Sequence, residues 1–204
     1  MDDPHLISDI EQLEVLYGTP APTALLKVAP QITPAYRAWI AQARFCVLAT
    51  VGPDGADCSP RGDDGPVVQE LEPRRLLLPD WHGNNRVDSL RNIVRDGRAA
   101  LMFMVPGSGN VVRVNGRALV TVAPDLLARC ARDSRTPRAV VVLDVAEVYF
   151  QCARALMRSR LWSDMTQPEG LPSAGDFLQE QSDGSVDGAT YDAAWSNRAR
   201  QSLW

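Results

Sequence analysis

The stretch VVRVNGRALVTV, residues 111–122, alternates apolar and polar side chains. Successive side chains of a strand point to opposite faces, so the even-numbered positions predict a core-facing side and Arg113, Asn115 and Arg117 the other side. The pair Asn115-Gly116 can instead form a tight hairpin turn. Because the alternation continues unbroken to the end of the stretch, one long strand with a bulge or bend at this pair is favoured.

Short apolar runs on both sides extend this strand into a sheet. FCVLATV, the turn GPDG and ADCSP, together residues 45–60, predict a β-hairpin. Further strands are predicted at LLL (76–78), AALMFMV (99–105) and AVVVLDVAEVYF (139–150). Six short strands with turn-rich connections are typical of an antiparallel barrel, so the predicted fold class is mainly β within α+β.

Helices are predicted to flank the sheet. Ser8 with Glu11 predicts a capping box at the start of an N-terminal helix. Residues 163–188, rich in Pro, Gly, Ser and Asp, predict an excursion, a lid or a disordered loop. Three further helices are predicted over residues 34–43, 152–162 and 189–204, the second of them docked on the sheet.

Length and composition limit which classes of protein the chain can belong to. A chain of 204 residues predicts one domain, residues 1–204, with a helical extension at 1–40 and a helical and loop extension at 151–204. The apolar runs are shorter than the roughly 20 residues that span a bilayer. The first residues lack the order of a secretory signal, which predicts a cytoplasmic protein without a membrane partner. A net charge of -4 argues against broad nucleic-acid binding.

Cysteine and histidine usage argues against a metal site. Cys46, Cys58, Cys130 and Cys152 form no C-x-x-C motif, and the only histidines are His5 and His82. Such a set lacks the ligand spacing of a zinc site. All four cysteines are predicted to be reduced and to serve as inert packing.

The segment PDWHGNNRVDSLRNI, residues 79–93, is polar and lies between an apolar strand and a predicted helix. Gly83 permits close backbone approach, Asn84 and Asn85 offer amide donors, and Arg86 supplies a cation where the helix should begin. A helix N-terminus with such donors is suited to a phosphate. From these residues alone, a turn with a solvated helix cap has about equal weight.

A second cation comes from SPRGD, residues 59–63, at the end of the second predicted strand. Arg61 follows Pro60 and precedes Gly62, so its backbone is held extended and is then free to turn sharply. Asp63 either pairs with Arg61 or Arg86 and holds the guanidinium in place, or belongs to ordinary turn chemistry.

The ordered set SPRGD, LLLPD-x-x-GNNRVDSLRNI, a strand ending in VPG, RVNGRA and QCARALMRSRLW resembles the pyridoxamine 5'-phosphate oxidase-like family of FMN-binding split β-barrels. The resemblance is closest to a subgroup of FMN-dependent enzymes and covers roughly residues 40–162. It implies a six-stranded antiparallel split β-barrel of Greek-key type. It also implies a homodimer with two FMN molecules at the subunit interface.

The resemblance further implies which residues hold FMN. Arg61 would contact the phosphate, Pro79 and Asp80 would run along the flavin, and Asn85 with Arg86 would grip the phosphate. Arg158 and Trp162 would reach the partner subunit's flavin, with ordinary helix packing as the alternative. The implied cofactor-binding set is Arg61, Gly62, Asp63, Pro79, Asp80, Asn84, Asn85, Arg86, Arg158 and Trp162.

The sequence departs from the better-known oxidases at two points. Val111 stands where they carry a Gln against the flavin, and their C-terminal signature for a substrate phosphate is missing. Pyridoxamine phosphate is therefore not the expected substrate. The resemblance implies an FMN-dependent oxidoreductase acting on an unidentified small organic molecule.

No catalytic residue is assigned, because no Ser/His/Asp or Cys/His constellation is present. His82 either donates a proton in the site or is a surface-loop histidine. Two alternatives stay open beside the oxidoreductase. One is a flavin-binding carrier or redox sensor without turnover, and the other is a reductase that binds the deazaflavin F420 on the same fold.

Overall fold

Seven strands form one antiparallel sheet in the computed structural model, which describes residues 5–201. The strands are β1 Phe45–Gly52, β2 Gly55–Gly62, β3 Gln69–Glu72, β4 Arg75–Asp80, β5 Arg98–Met104, β6 Val111–Thr121 and β7 Ala139–Gln151. Their order in the sheet is β2-β1-β5-β6-β7-β4-β3. The prediction of an antiparallel sheet with flanking helices is thus confirmed, while the predicted count of six strands is wrong.

The additional strand is β3, which pairs with β4 across a bulge. Its four residues, QELE, carry one apolar side chain and lie next to a turn, so neither period-2 alternation nor a β-rich composition marks them. The hydrogen-bonded ladder runs from β2 to β3. No pairing between these two end strands closes the predicted barrel within the described part of the chain.

Two local predictions about the strands are confirmed. β1 and β2 form a hairpin, with Gly52 paired to Gly55. β6 is one continuous strand with a register shift between Asn115 and Gly116. The shift brings the backbone of β7 against Gly116, where an added Cβ would lie 2.0 Å from the carbonyl oxygen of Asp144.

The main core lies on one face of the sheet. Alternate residues of β1 point into it, namely Cys46, Leu48 and Thr50. Phe103 of β5 is the largest fully buried side chain. In β6, Val112 and Val114 are buried as predicted, whereas Val122 lies beyond the strand and is exposed.

A second, smaller core lies on the other side of β4 and β7. Leu77, Val140 and Val142 pack there with Cys130, the last residue of helix α5, Pro124–Cys130. Both faces of these two strand segments are therefore covered. This explains why LLL and AVVVL are continuous apolar runs, since alternation is expected only where one face meets water.

The other helices lie before, between and after the strands. They are α1 Ile10–Tyr17, α2 Pro22–Leu26, α3 Pro34–Ile40, α4 Asp88–Arg95, α6 Arg154–Ser159, α7 Ala174–Gln181 and α8 Gly188–Gln201. α4 packs on β1 and buries Ile93. None of the helices among residues 5–201 is both long and apolar enough to cross a membrane.

Three predictions about helix ends and loops are corrected. The N-cap of α1 is Asp9, which accepts from the backbone N–H of Gln12 at 2.8 Å, so the capping box predicted one residue earlier is wrong. α3 ends at Ile40 rather than at residue 43. The region 163–188 contains α7, whose capping box joins Ser173 and Asp176, so it is not purely a loop.

The C-terminal helices partly match their predictions. α8 is the predicted last helix, and residues 202–204 of that prediction lie outside the described residues. α7 packs on α8 closely, since a Cβ on Gly175 would lie 2.2 Å from the carbonyl oxygen of Gly188. The predicted helix at 152–162 is the shorter α6, which buries none of its residues.

The cysteines fall into two classes. All four are free, but only Cys46 and Cys130 are buried, so the prediction of inert packing is wrong for the exposed Cys58 and Cys152. Burial raises the pKa of the Cys46 thiol to about 12. A hydrogen bond from the backbone of Arg154 lowers the pKa of Cys152, and the charges of Arg154 and Lys27 add to this effect.

We expect a thiol reagent at neutral pH to modify Cys152 first, then Cys58, and to leave the two buried cysteines unmodified while the protein is folded. The reason is that the thiolate reacts, and both exposure and a lowered pKa favour it. Mass spectrometry of briefly labelled protein measures the order. Rapid modification of Cys46 would contradict this burial pattern.

Candidate functional site

A cavity of about 600 Å³ opens where β2 and β4 end. Its wall comes from three parts of the chain. These are the end of β2 with the turn after it, the end of β4 with the following loop and the first turn of α4, and the residue before β7. The lining residues are Pro60, Arg61, Gly62, Asp63, Asp64, Val67, Leu78, Pro79, Asp80, Trp81, His82, Gly83, Asn84, Asn85, Val87, Leu90 and Arg138. Its volume is within the usual range of small-molecule sites.

The sheet must curl strongly to form this cavity. Four strands separate β2 from β4 in the sheet order. Nevertheless Nη1 of Arg61 on β2 donates to Oδ1 of Asp80 on β4 at 2.5 Å. Strand twist and coiling bring such distant strands together. The two motifs that the sequence singled out, SPRGD and the stretch from Pro79, thereby meet in one place.

Arg61 is held by two partners. Besides Asp80, its Nε donates to Oγ of Ser59 at 3.3 Å. The side chains of Arg61 and Asp80 are only 21% and 15% exposed, so this ion pair is partly shielded from water. The contacts occupy Nη1 and Nε, and Nη2 carries two more N–H donors that can serve a ligand.

A partly buried chain of polar side chains continues from Arg61 toward α4. Oγ of Ser59 lies 3.0 Å from Oγ of Ser89, and Ser89 donates to Oδ2 of Asp57 at 2.7 Å. Ser89, in the first turn of α4, is 4% exposed. The chain therefore ties the start of α4 to β2 directly behind the guanidinium.

We expect Ser89→Ala to lower the free energy of unfolding by about 1–2 kcal/mol, because Ser59 and Asp57 lose their shared partner. Ser59 would then hold Nε of Arg61 less firmly. Chemical denaturation measures the stability, and Ser163→Ala, at an exposed position, is the control. Equal stability of the Ser89 variant and the wild type would contradict the network.

Arg138 is a second cation in the cavity that sequence reasoning missed. Its Nη1 donates to Oδ1 of Asn85 at 2.7 Å, and its backbone N–H donates to the carbonyl of Asp80 at 3.0 Å. In the pairing of β4 with β7, Asp80 lies opposite Ala139. This register places Arg138, the residue before Ala139, at the cavity. Only this register could have revealed it, because the sequence around Arg138 has no binding motif.

The loop between β4 and α4 has an unusual backbone. Asn85 and Val87 have φ values of 61° and 51°, in the left-handed region. Asn tolerates this conformation, whereas a β-branched residue such as Val is strained by it. Oδ1 of Asn84 accepts from the backbone N–H of Arg86 at 3.0 Å and so supports the turn. Strain of this kind tends to cluster at ligand sites.

Arg86 lies outside the cavity in this chain. Its side chain is 79% exposed and pairs with Asp88, which raises the pKa of its guanidinium. It lines a separate recess of about 400 Å³ together with Arg91 and Arg95. The structure therefore does not bring Arg86 and Arg61 together, and the contact of Arg86 with a phosphate stays a prediction.

Arg158 and Trp162 also lie outside the cavity lining. Nε1 of Trp162 donates to the carbonyl of Ser108 at 2.8 Å, which holds the indole near the end of β5. Arg158 is exposed on α6. Their predicted reach to a partner subunit's cofactor stays a prediction, whereas the other implied residues, Gly62, Asp63, Pro79, Asp80, Asn84 and Asn85, line the same cavity as Arg61.

Asp63 is buried beside the cavity, with a side chain that is 1% exposed. Its Oδ2 accepts from Nε1 of Trp81 at 3.1 Å, and its Oδ1 lies 3.0 Å from Nη1 of Arg132. The latter contact is an ion pair without hydrogen-bond geometry. The expected ion pair of Asp63 with Arg61 or Arg86 is therefore wrong, because the guanidinium beside Asp63 is that of Arg132.

The arrangement is suited to an elongated anion. Arg61 and Arg138 supply charge and directed N–H donors, which are the groups that recognise a phosphate. Val67, Leu78 and Leu90 supply apolar wall for an uncharged part. Among these lining residues there is no Ser, Cys, Thr, Lys or Tyr, so the cavity offers no hydroxyl, thiol or amine side chain as a nucleophile. No cluster of metal-ligating side chains occurs among the described residues.

Comparison with protein-family models gives a match that spans the whole sheet. A family model described as pyridoxamine 5'-phosphate oxidase matches residues 32–152. The match covers more than half of the chain and all seven strands. A search of curated proteins gives no match.

Several solved structures are similar to the chain. HupZ from group A Streptococcus is 15% identical, with 60% of this chain and 95% of that chain covered and a TM-score of 0.49. A protein of Lactobacillus delbrueckii, provisionally named a pyridoxamine 5'-phosphate oxidase, is 25% identical, with 59% and 95% covered and a TM-score of 0.48. General stress protein 26 from Bacillus anthracis is 16% identical, with 55% and 88% covered and a TM-score of 0.41.

Proposed function

The chain belongs to the pyridoxamine 5'-phosphate oxidase-like family, and from that premise we propose that it is an FMN-dependent oxidoreductase acting on a small organic substrate. The observation that carries the proposal is the cavity in which Arg61, Arg138 and Asn85 surround one space. FMN is a planar ring on a polar chain that ends in a phosphate. A cavity with cations and amides on an otherwise mixed wall suits such a molecule.

The phosphate end would be held by Arg61 and Arg138. Each guanidinium keeps N–H donors beyond those used by Asp80, Ser59 and Asn85. Asp80 offsets the charge of Arg61, so neutralising a dianion requires further positive charge. Arg86 lies on the same loop, three residues after Gly83, and is a candidate for this further charge. To contact the phosphate, its side chain would have to break its ion pair with Asp88.

The cofactor would supply hydride transfer at its ring, and the protein would supply binding, orientation and exclusion of water. Leu78, Val67 and Leu90 give the apolar wall that keeps water from the ring. His82 is the one histidine among the described lining residues, and histidine is the side chain that most often transfers protons in catalysis. Its side chain is exposed at the rim, and either a proton-donating role or a plain loop position fits that location.

A flavin carrier or redox sensor is the second candidate. It is favoured by the described lining, in which Ser, Cys, Thr, Lys and Tyr are absent and proton transfer to a substrate could come only from His82 and the Asp carboxylates. The two candidates share the cofactor and differ in turnover. An F420-dependent reductase shares the fold and differs in the cofactor.

The test begins with the cofactor of the purified protein. We expect a yellow protein, or FMN uptake by the colourless protein in a titration, and FMN as the mass of the extracted cofactor. Rapid reduction by NADH or NADPH, or reoxidation by a small substrate, would support the enzyme over the carrier. A protein that neither carries nor takes up flavin would refute the proposal, and a deazaflavin mass would replace FMN with F420.

The predicted homodimer is part of this proposal, since Arg158 and Trp162 could reach a flavin only across a subunit interface. Sedimentation at equilibrium measures the molar mass in solution. A monomer at all concentrations would remove these two residues from the proposed site.

A further inference from the structure

We propose that α1 of one copy of the chain packs on α4 of a second copy, so that each copy covers an apolar stripe of the other. The inference names two surfaces that join copies of the chain and the chemistry by which they recognise each other. It goes beyond the proposed function, because it requires no bound cofactor and gives the predicted homodimer a specific contact.

Helix α1 presents an apolar stripe that its own chain leaves uncovered. Ile10, Leu13 and Tyr17 lie on one side of the helix, at spacings of three and four residues, and Leu16 widens the stripe. Leu13 is the least exposed of the four side chains and is still 40% exposed. The helix buries none of its residues. An apolar stripe on a helix is expected to face a packing partner.

The length of α1 is a second reason to expect a partner. The helix has eight residues. Isolated helices shorter than about 12–15 residues are only marginally stable in water, and most helical stability in proteins comes from packing of the apolar side. Its N-cap, Asp9, satisfies one backbone donor but buries no apolar surface. Packing of the stripe would supply the stability that α1 lacks in the single chain.

The charges of α1 restrict what this partner can be. Glu11 and Glu14 flank the apolar stripe, and the helix carries no basic residue. Neither carboxylate forms an ion pair among residues 5–201. Complementary charges fix the choice of partner and the register of an interface. The surface that fits α1 is therefore apolar and bordered by basic side chains.

Helix α4 presents such a surface. Val87, Leu90 and Val94 line a shallow groove of about 290 Å³, together with Arg91 and Arg95. Val94 is 74% exposed although it lies in the middle of this apolar lining. Neither of the two guanidinium groups has an ion-pair or hydrogen-bond partner within the described part of the chain. The groove thus combines uncovered apolar surface with two uncompensated positive charges.

The two helices carry their charges on equivalent sides. In each helix the charged residue directly follows a residue of the stripe, as in Leu13-Glu14 and Leu90-Arg91. One residue along an α-helix is always the same rotation, so the charges lie on the same flank of both stripes. When two helices pack antiparallel, equivalent flanks meet. An antiparallel contact therefore brings the two glutamates against the two arginines.

A second copy satisfies both surfaces at once. Each copy has one α1 and one α4, so a two-fold arrangement forms the contact twice, as in the isologous interfaces of homodimers. The chain's own α1 leaves the groove exposed. Val87 and Leu90 also line the cavity of about 600 Å³. The docked α1 therefore lies beside the cavity of the other copy.

Charge reversal tests the contact. The α1 reversal is Glu11→Arg with Glu14→Arg, and the α4 reversal is Arg91→Glu with Arg95→Glu. Each places like charges together, so we expect each to raise the dissociation constant of the dimer about 10- to 100-fold, as exposed charge pairs counted over two contacts predict. Sedimentation of fluorescently labelled protein over a wide range of concentrations measures this constant.

A matched control separates the contact from net charge. Glu169→Arg with Glu180→Arg changes the net charge by the same amount as the α1 reversal, at exposed positions outside both helices. Its dissociation constant should stay within about threefold of the wild type, because isolated surface charges contribute little.

The apolar part of the contact has its own variants. Ile10→Ala with Leu13→Ala removes two residues of the stripe and keeps a strong helix former at both positions. We expect dimerisation at least about tenfold weaker than in the wild type, because buried apolar surface is lost at both contacts. Val15→Ala, on the opposite side of α1, is the control and should leave dimerisation unchanged. All these side chains are exposed in the single chain, so its melting temperature should not change.

Mixing the two reversals distinguishes a second copy from the chain's own helix. In a mixed dimer, the arginines of the reversed α1 face the glutamates of the reversed α4, and the other contact is that of the wild type. We expect the mixture to form heterodimers with a dissociation constant within about threefold of the wild type, whereas each reversal alone dimerises weakly. Energy transfer between differently labelled chains measures the heterodimer.

Each outcome decides the inference. Restored association in the mixture supports it. Weak association in the mixture, with recovery only when both reversals are combined in one chain, would mean that α1 packs on its own α4 and would overturn the second copy as its partner. Wild-type dimerisation of either reversal alone overturns the contact, although a dimer through other surfaces would stand. A wild type that is monomeric at all concentrations also overturns it, while the FMN titration decides the proposed function separately.

Discussion

Replacing Arg61 with Ala is expected to weaken FMN binding about 10- to 150-fold, which corresponds to about 1.5–3 kcal/mol for a lost charge-assisted hydrogen bond. The substitution also leaves the carboxylate of Asp80, 15% exposed, without its partner at 2.5 Å. An unpaired carboxylate repels a phosphate, so the loss should lie toward the upper end. Fluorescence titration of the cofactor-free protein with FMN measures the dissociation constant.

Matched variants separate charge from geometry. Arg61→Lys keeps the charge but loses the second arm of the guanidinium, so its affinity should fall between those of wild type and Ala variant. Arg98→Ala is the control, because Arg98 is 61% exposed and neither it nor its partner Asp96 lines the cavity. If Arg61→Ala bound FMN as tightly as the wild type does, the phosphate would not be bound by Arg61.

The variant Arg86→Ala answers a separate question. In the chain described, Arg86 pairs with Asp88 and lines another recess. A loss of affinity as large as that of Arg61→Ala would mean that Arg86 reaches a phosphate when cofactor binds, as the family resemblance implies. An unchanged affinity would leave Arg61 and Arg138 as the cations of the site.

Replacing Gly116 with Ala is expected to lower the free energy of unfolding by about 3 kcal/mol, at the upper end of the usual cost of overpacking. The added Cβ would lie 2.0 Å from the carbonyl oxygen of Asp144 and 3.3 Å from the backbone N of Ala146. Both atoms belong to the backbone of β7, which pairs with β6 and β4 and cannot move alone. Chemical denaturation with linear extrapolation measures the change.

Gly83→Ala is the control for this substitution. No atom lies within 4 Å of an added Cβ at Gly83, and its backbone is not in the positive-φ region. Its stability without cofactor should therefore differ from that of the wild type by less than about 0.5 kcal/mol. If the Gly116→Ala variant were as stable as the wild type, the register of β6 against β7 would have to differ from the pairing given above.

The parts of the fold that the sequence predicts are those with a strong local pattern. Alternation in residues 111–122 predicted β6, and the unbroken pattern across Asn115-Gly116 predicted its bulge. β3 and α7 were missed for a local reason as well. β3 is short and polar, and the turn-rich composition around α7 concealed its capping box from Ser173 to Asp176.

The candidate site was predictable only where it lies within motifs. SPRGD and the segment from Pro79 to Asn85 contributed most of the cavity wall. Arg138 and Arg132 were missed because tertiary structure alone brings them there, the first through strand register and the second through its contact with Asp63. Arg86 is the opposite case. It lies inside a motif, but its side chain lines a different recess, so the motif alone did not predict its position correctly.

The most direct test of the central claim is the crystal structure of the protein with FMN bound. We expect the phosphate in the cavity between β2 and β4, with its oxygens within hydrogen-bond distance of Arg61 and Arg138. A phosphate bound elsewhere, with Arg61 still paired only to Asp80 and Ser59, would contradict the account.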